Sequence, residues 1–305
     1  MADLSAAQNE TGIDRGRSLF QDSLRRFARN RVAMGSFLIV VLLAVLSIGV
    51  PLVWPRSIED VNWDALLIAP TLAGVSTGDF AQIYPFGTDV NGRDLFVRVF
   101  FAGQISLAIG VLATSIALVI GVVYGAVAGW FGGWIGEIMM RFCDIMYSLP
   151  TLFFIIILLT VLGAKNILLV FMCIGAIQWL TMARIVRGQT LSVRQREYIE
   201  SARSIGLGNW TILRRYIIPN VTGPVIVYVT LLIPVNILIE SYLSFLGLGV
   251  QEPLTSWGLL ISQGASEIET APWLLLVPAT FLTITLFCFN FIGDGLRDAF
   301  DPKEY

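Results

Sequence analysis

The sequence has no histidine at all. That removes most catalytic triads, most zinc sites, the H-E-x-x-H motif and the usual switch near neutral pH. Cysteine is scarce too. Cys143, Cys173 and Cys288 lie far apart in apolar surroundings, with no C-x-x-C spacing. They imply neither a metal site nor a disulfide framework and read as small buried hydrophobes. Lysine is limited to Lys165, after Ala164, and Lys303, after Pro302. Neither can be the lysine of a G-x-x-x-x-G-K-[ST] phosphate loop, so any ATP-driven work would need an ATPase on another chain. G-x-S-x-G is absent, and FIGDGLRD lacks the G-x-G-D order of intramembrane aspartyl proteases. Charge is sparse as well: 14% of residues, against about 25% in a soluble domain. With 56% hydrophobic residues and net charge −2, the composition predicts a membrane protein with no nucleic-acid partner.

What is present is a series of six uncharged runs: 32–55, 99–136, 145–164, 166–183, 216–239 and 270–293. About 20 apolar residues in a helix cross a hydrocarbon core. The runs predict an all-α polytopic protein with spans at 34–54, 103–129, 145–163, 166–183, 222–239 and 272–293. The first reads as an uncleaved anchor, because VWPRS follows without a small-residue cleavage site. Six crossings put both termini on one side. That side carries 16 of the basic residues and the other carries 4, which makes the first cytoplasmic. The expected organisation is a cytoplasmic tail over 1–33, the first span, an external loop over 55–102 and a core over 103–305. That core includes a cytoplasmic loop at 184–221 and a short cytoplasmic tail. In the first tail, Phe20, Leu24 and Phe27 fall at helical spacing among Arg17, Arg25, Arg26 and Arg29. This suits an amphipathic helix on the inner membrane surface, or a merely basic topogenic tail.

Polar residues inside the runs are few. Asn236 and Glu240, with the adjoining Ser241, hint at a pathway lining or an interhelical contact. Gly121, Gly125 and Gly129 form a small-residue stripe for close helix packing. Pro224, Pro234 and Pro278 fall in or near the last two spans, where proline can bend a helix.

The loop after the fourth span reads EYIESARSIGLGNWTILRRYIIPN. Tyr198, Ala202 and Ile205, with Ile199 beside them, predict one apolar stripe on a short helix. Gly206 and Gly208 predict its end, and Asn209 is placed to cap a second helix from Trp210. Arg214 and Arg215 fall at headgroup level. Two helices about a glycine turn are more than a topogenic loop needs and suit a docking element.

Glu200, Ala202, Gly206 and Pro219 resemble the EAA motif, E-A-A-x3-G-x9-I-x-L-P, of ABC importer permeases, with Ser201, Tyr216 and Ile218 as departures. RFARNRVAMGSFLIVV, FGTDVNGRDLFVRVFFAGQISLAIG, SFLGLGVQEPLTSWGLLIS and GDGLRDAFDP resemble signatures of the peptide/nickel family of these permeases. Val97 and Gln104 stand where that family often has Ser and Arg. The tail and GLGVQEPLTSWG look closest to the C-type membrane subunit of oligopeptide permeases. The resemblance runs from about Arg15 to the end. It implies the type I importer architecture and translocation of oligopeptides into the cytoplasm across a bacterial inner membrane. It also implies a coupling helix carrying Glu200, Ser201, Ala202, Arg203, Gly206 and Leu207 that docks on an ATPase. The implied partners are a second permease subunit, one or two ATPases and an external substrate-binding protein. ATP and Mg would sit on the ATPases, with no cofactor or metal on this chain. Candidate contacts for the binding protein lie in 79–98 and 241–271: Asp89, Arg93, Asp94, Glu252 and Trp257. Asn236, Glu240 and Ser241 are candidates for the substrate path. Dipeptide and nickel permeases share most of these motifs; an ion-driven transporter or channel is the reading of a different class.

Overall fold

The computed structural model describes residues 19–72, 74, 82–163 and 167–300. Arg17, Lys165 and the residues after 300 lie outside the described residues, and so does the Phe20 side chain. Among the described residues the regular elements are helices, with two isolated β-bridges in the segment before residue 95. They are α1 (Leu19–Arg29), α2 (Arg31–Val53), α3 (Leu95–Phe131), α4 (Gly133–Tyr147), α5 (Thr151–Val161) and α6 (Ile167–Arg194). Then follow α7 (Glu197–Ser204), α8 (Asn209–Ile212), a π-helical turn (Leu213–Ile217), α9 (Ile218–Phe245), α10 (Trp257–Ser266) and α11 (Trp273–Phe300).

Five helices are long and apolar enough to cross a membrane, taking Asn209–Phe245 as one, and α4 with α5 make a sixth if a bend of 83° is allowed. The run expected to form one straight helix at 145–163 is therefore broken. The break falls at Ser148, Leu149 and Pro150. Proline has no N–H to donate, and it disfavours helical backbone at the residue before it. Other spans outgrow their apolar runs, α6 at its end to Arg194 and α11 at its end to Phe300, and two at their starts. α3 begins at Leu95 because Asp94 caps it, its carboxylate accepting from the Phe96 N–H at 2.9 Å. The fifth span reaches back to Asn209 through the π turn. That turn lies just before Pro219, which cannot supply an N–H to the preceding ladder.

The glycine stripe does what small residues do in lipid. Gly121, Gly125 and Gly129 lie against α6: a Cβ at Gly125 would sit 2.8 Å from Val186 Cβ, and one at Gly129 2.7 Å from Thr190 Cβ. Without a hydrophobic drive between helices, such close approach supplies the packing energy. Gly125→Leu is expected to cost about 1–3 kcal/mol by overpacking and to lower the melting temperature of the purified protein. Gly188→Ala on the outer face of α6, where a Cβ meets nothing within 4 Å, is expected not to lower it and, by helix propensity, to raise it slightly.

α2 is apolar all round, and only Ala33, Ser36, Leu43 and Ser47 are buried on it. Those positions pack toward α3 and α11, leaving the rest of its surface for lipid. Asn30 caps α2 by accepting from the Val32 and Ala33 N–H groups at 3.1 Å each. α1 is helical, and its apolar residues divide. Phe27 is buried in a cluster with Ala33, Ile292 and Ala299, whereas Leu24 is exposed. α1 is thus tied to the last turns of α11. The three cysteines are buried and free.

Candidate functional site

The two ends of the bundle carry different chemistry. At one end α7 sits beneath Trp130 of α3. Arg203 lies over the Trp130 ring, 4.3 Å from its centroid. Ile199 and Ala202 are buried in a cluster with Ala126, Trp130, Val186, Ile212 and Ile217. This corrects the expected stripe. The buried face is Ile199 with Ala202, whereas Tyr198 and Ile205 point outward, Ile205 being 79% exposed. Trp210, just past the glycine turn, is 67% exposed. α7 therefore holds on by Ile199 and Ala202, and the loop presents three large apolar side chains, Tyr198, Ile205 and Trp210, to its surroundings.

The end of α7 is a Schellman turn. The Gly206 N–H donates to the Arg203 carbonyl at 2.9 Å and the Leu207 N–H to the Ala202 carbonyl at 3.2 Å. Gly206 adopts φ +83°, a left-handed conformation that glycine takes without steric cost. Leu207 packs back onto the cluster containing Ala202. Glu200, Ser201 and Arg203 are exposed on the other face. Asn209 does not cap α8; the helix begins at Asn209 itself, with Gly208 in the cap position and no side-chain cap bond.

At the opposite end, charged side chains knit the segment before α3 to the segment after α9. Asp89 accepts from Arg93 Nε at 2.7 Å and is paired with Arg98. It also accepts from the Asn91 and Arg93 backbone N–H groups, each at 2.9 Å. Arg93 reaches Glu252 at 3.1 Å, and Gln263 Nε2 donates to the same Glu252 oxygen at 3.0 Å. Burial alone would raise the Glu252 pKa, but Arg93, the Gln263 hydrogen bond and Arg98 together hold it below the ordinary glutamate value. Asp94 accepts from Trp54 Nε1 at 2.9 Å and pairs with Arg56 at 2.8 Å. Trp257 is 1% exposed, its Nε1 donating to the Val99 carbonyl at 3.0 Å. Of the five residues expected to meet an external protein, Asp89, Asp94 and Trp257 are buried and serve the framework. Their carboxylates and indole are spent on internal partners. Only Glu252, with Arg93 beside it, is open enough to be touched.

The three expected path residues are also sealed. Asn236 on α9 donates to Thr114 Oγ1 of α3 at 2.8 Å and accepts from Gln178 Nε2 of α6 at 3.1 Å. It clasps three helices. Asn236→Ala is expected to cost about 0.6–1.7 kcal/mol, from the average to the largest value measured for hydrogen bonds between membrane helices, read as a lower melting temperature. Glu240 is 0% exposed. Its Oε1 accepts from Ser244 Oγ at 2.6 Å. Ser244 Oγ in turn accepts from the Val250 N–H at 3.2 Å, and Ser106 of α3 accepts from the Trp257 N–H at 3.2 Å. The carboxyl and these hydroxyls latch the segment after α9 into the bundle.

One cluster was not visible as such in the sequence, where Asp144 and Arg184 are merely the borders of uncharged runs. In the fold they pair at 3.0 Å, with side chains 54% and 51% exposed. Arg184 lies over the Tyr147 ring at 4.5 Å. The Tyr147 hydroxyl contacts Thr181. The only sequence signal was two opposite charges on either side of the proline-containing break.

An all-helical bundle of membrane-spanning length, with a capped helix set between two spans, defines a polytopic membrane protein. The comparisons place it more closely. The model of the binding-protein-dependent transport system inner membrane component matches residues 121–304, and that of the N-terminal TM domain of oligopeptide transport permease C matches residues 18–70. The chain belongs to this family of ABC importer permeases, with the oligopeptide C-type subunits. It is 53% identical to the oligopeptide transport system permease protein OppC of Escherichia coli (strain K12) over 289 residues, 95% of this chain and 93% of that one. It is 39% identical to OppC of Bacillus subtilis (strain 168), covering 94% of this chain and 90% of that one. To the dipeptide transport system permease protein DppC of the same organism it is 38% identical, covering 94% and 86%.

Proposed function

We propose that this chain is a non-catalytic permease subunit of an importer that carries oligopeptides into the cytoplasm, driven by ATP hydrolysed on partner chains. The observation that carries the substrate class is the 53% identity to a protein named for oligopeptide transport, over 95% of this chain. In this reading the chain pairs with a second permease subunit. α7 docks in a cleft of an ATPase through Glu200, Ser201 and the exposed Tyr198 and Ile205, with Gly206 and Leu207 fixing its end. ATP and Mg stay on the ATPase, and no cofactor or metal sits on this chain. A substrate-binding protein meets the opposite end at Glu252 and Arg93. Both termini then lie in the cytoplasm, by the excess of Lys and Arg on their side. ATP-driven closure of the ATPases moves α7 and switches the spans to an outward-facing state; hydrolysis resets them.

The test is copurification combined with uptake. Tagged protein is expected to bring down an ATPase, and its deletion to abolish uptake of an oligopeptide by whole cells. Failure to recover any ATPase, with uptake intact after deletion, overturns the reading.

A further inference from the structure

We infer that the segment 59–66, centred on Trp63, is a docking surface for the substrate-binding protein, fitted to an apolar pocket rimmed by Lys and Arg on that partner. The inference rests on the reading above that a binding protein meets this end of the bundle. The segment is open where it would be touched and fixed where it would not. Glu59, Asp60, Val61, Asn62, Trp63 and Asp64 are exposed in succession, Trp63 by 72%. Leu66 is a further exposed apolar side chain. Between Asp64 and Leu66, Ala65 is buried and its carbonyl accepts from Thr88 Oγ1 at 2.5 Å. The Ile68 N–H donates to the same hydroxyl oxygen at 2.8 Å, and the Leu67 N–H to the Asp89 carbonyl at 3.2 Å. Asn62 Nδ2 donates to the Tyr84 hydroxyl at 3.2 Å, and Asn62 Oδ1 accepts from the Asp64 N–H at 3.1 Å. A tryptophan on backbone held this way gives up little conformational freedom on binding, which suits it to anchor an interface.

Charge selects the occupant. Glu59, Asp60 and Asp64 have no ion pair among the described residues. The cations of the adjoining segments are already held: Arg56 by Asp94, and Arg93 by Asp89 and Glu252. The open charge around Trp63 in the chain is therefore negative. It disfavours a bilayer surface bearing anionic headgroups and favours a protein with a basic rim. The surface also runs on into the open pair described above. Gly92 adopts φ +70°, and a Cβ there would overlap the Asn62 carbonyl. The turn ahead of Arg93 thus lies directly against the residue before Trp63, and Arg93 reaches Glu252 at 3.1 Å. One partner can cover both.

The test uses the importer reconstituted in liposomes with its partner subunits. It reads ATP-dependent uptake of tetraalanine against the concentration of the purified binding protein. Trp63→Ala is expected to raise the half-saturating concentration about tenfold or more, the loss found at aromatic anchors of interfaces, with the rate recovered at saturation. Glu59→Lys with Asp64→Lys is expected to raise it about fivefold or more and to weaken its dependence on salt. Unchanged half-saturation in Trp63→Ala overturns the inference and leaves the binding-protein reading standing. So does a lower maximal rate at unchanged half-saturation, the mark of a tryptophan that anchors the bilayer interface. If Trp63→Ala does not assemble, the double lysine variant decides, and its unchanged half-saturation overturns the inference. Uptake that needs no binding protein in the unaltered complex, or no uptake at all, overturns that reading and this inference together.

Discussion

Gly206→Val is expected to cut transport about 5–30-fold while Gly206→Asn leaves most of it. A Cβ at Gly206 would meet nothing within 4 Å, so no neighbour resists a side chain there. The penalty is entirely in the backbone, at φ +83°. An L-residue in the left-handed region costs about 1–2 kcal/mol, and asparagine is the residue besides glycine that visits it routinely. That amount shifts an equilibrium about 5–30-fold. The equilibrium here is between the closed Schellman turn and a frayed end to α7 that releases Leu207 from its cluster. Uptake of a labelled oligopeptide, with ATPase copurification alongside, reads the effect. Equal behaviour of valine and asparagine would show that the left-handed turn is not what docking requires.

Asp89→Ala is expected to destabilise the protein by about 3–5 kcal/mol, the cost of leaving a buried charge without its partner. Arg98 is 1% exposed and is held by Asp89, with Gln263 at 3.4 Å and Glu252 at 3.7 Å as weaker supports. Asp89 also holds Arg93 and two backbone N–H groups, so its loss loosens the whole turn before α3. Replacing both partners, Asp89→Leu with Arg98→Met, is expected to cost less than Asp89→Ala alone, because no charge is then stranded. Thermal unfolding of the three variants in detergent gives the order. An additive double variant would mean the two side chains do not interact.

Much of the architecture could be read before any coordinate. Charges mark where a helix cannot remain in lipid, so the gaps between them located the spans, and the glycine stripe announced a close helix contact on α3 without naming its partner. The breaks were harder. Leu149–Pro150 lies in an uncharged run, where hydropathy is blind to backbone geometry. The starts of α3 and of the Asn209–Phe245 helix were missed for the opposite reason: helices run on past the apolar run when a cap, a buried ion pair or a π turn satisfies the backbone. The two helices after the fourth span were legible because the glycine turn between them is a local feature. The buried face of the first was not, since Tyr198 and Ile199 are adjacent in sequence and only Trp130 beneath them decides which turns inward. Asp89, Asp94 and Trp257 carried the wrong expectation because charge and aromaticity suggest a surface, and their partners lie up to 158 residues away. Asp144 and Arg184 escaped notice because proximity across a bend is not a property of either run.

The helix from Asn209 to Phe245 has 37 residues, a rod of about 55 Å. One end carries the exposed Trp210 of the loop, and the other carries Glu240 and Ser244 of the latch. A rigid rod tilting about its midpoint by about 10° carries each end about 5 Å, in opposite directions. Such a beam needs no chain of intervening side-chain shifts to connect the two faces of the membrane. Its weak points are the interior prolines, Pro224 and Pro234, where a bend would absorb the stroke before it arrived.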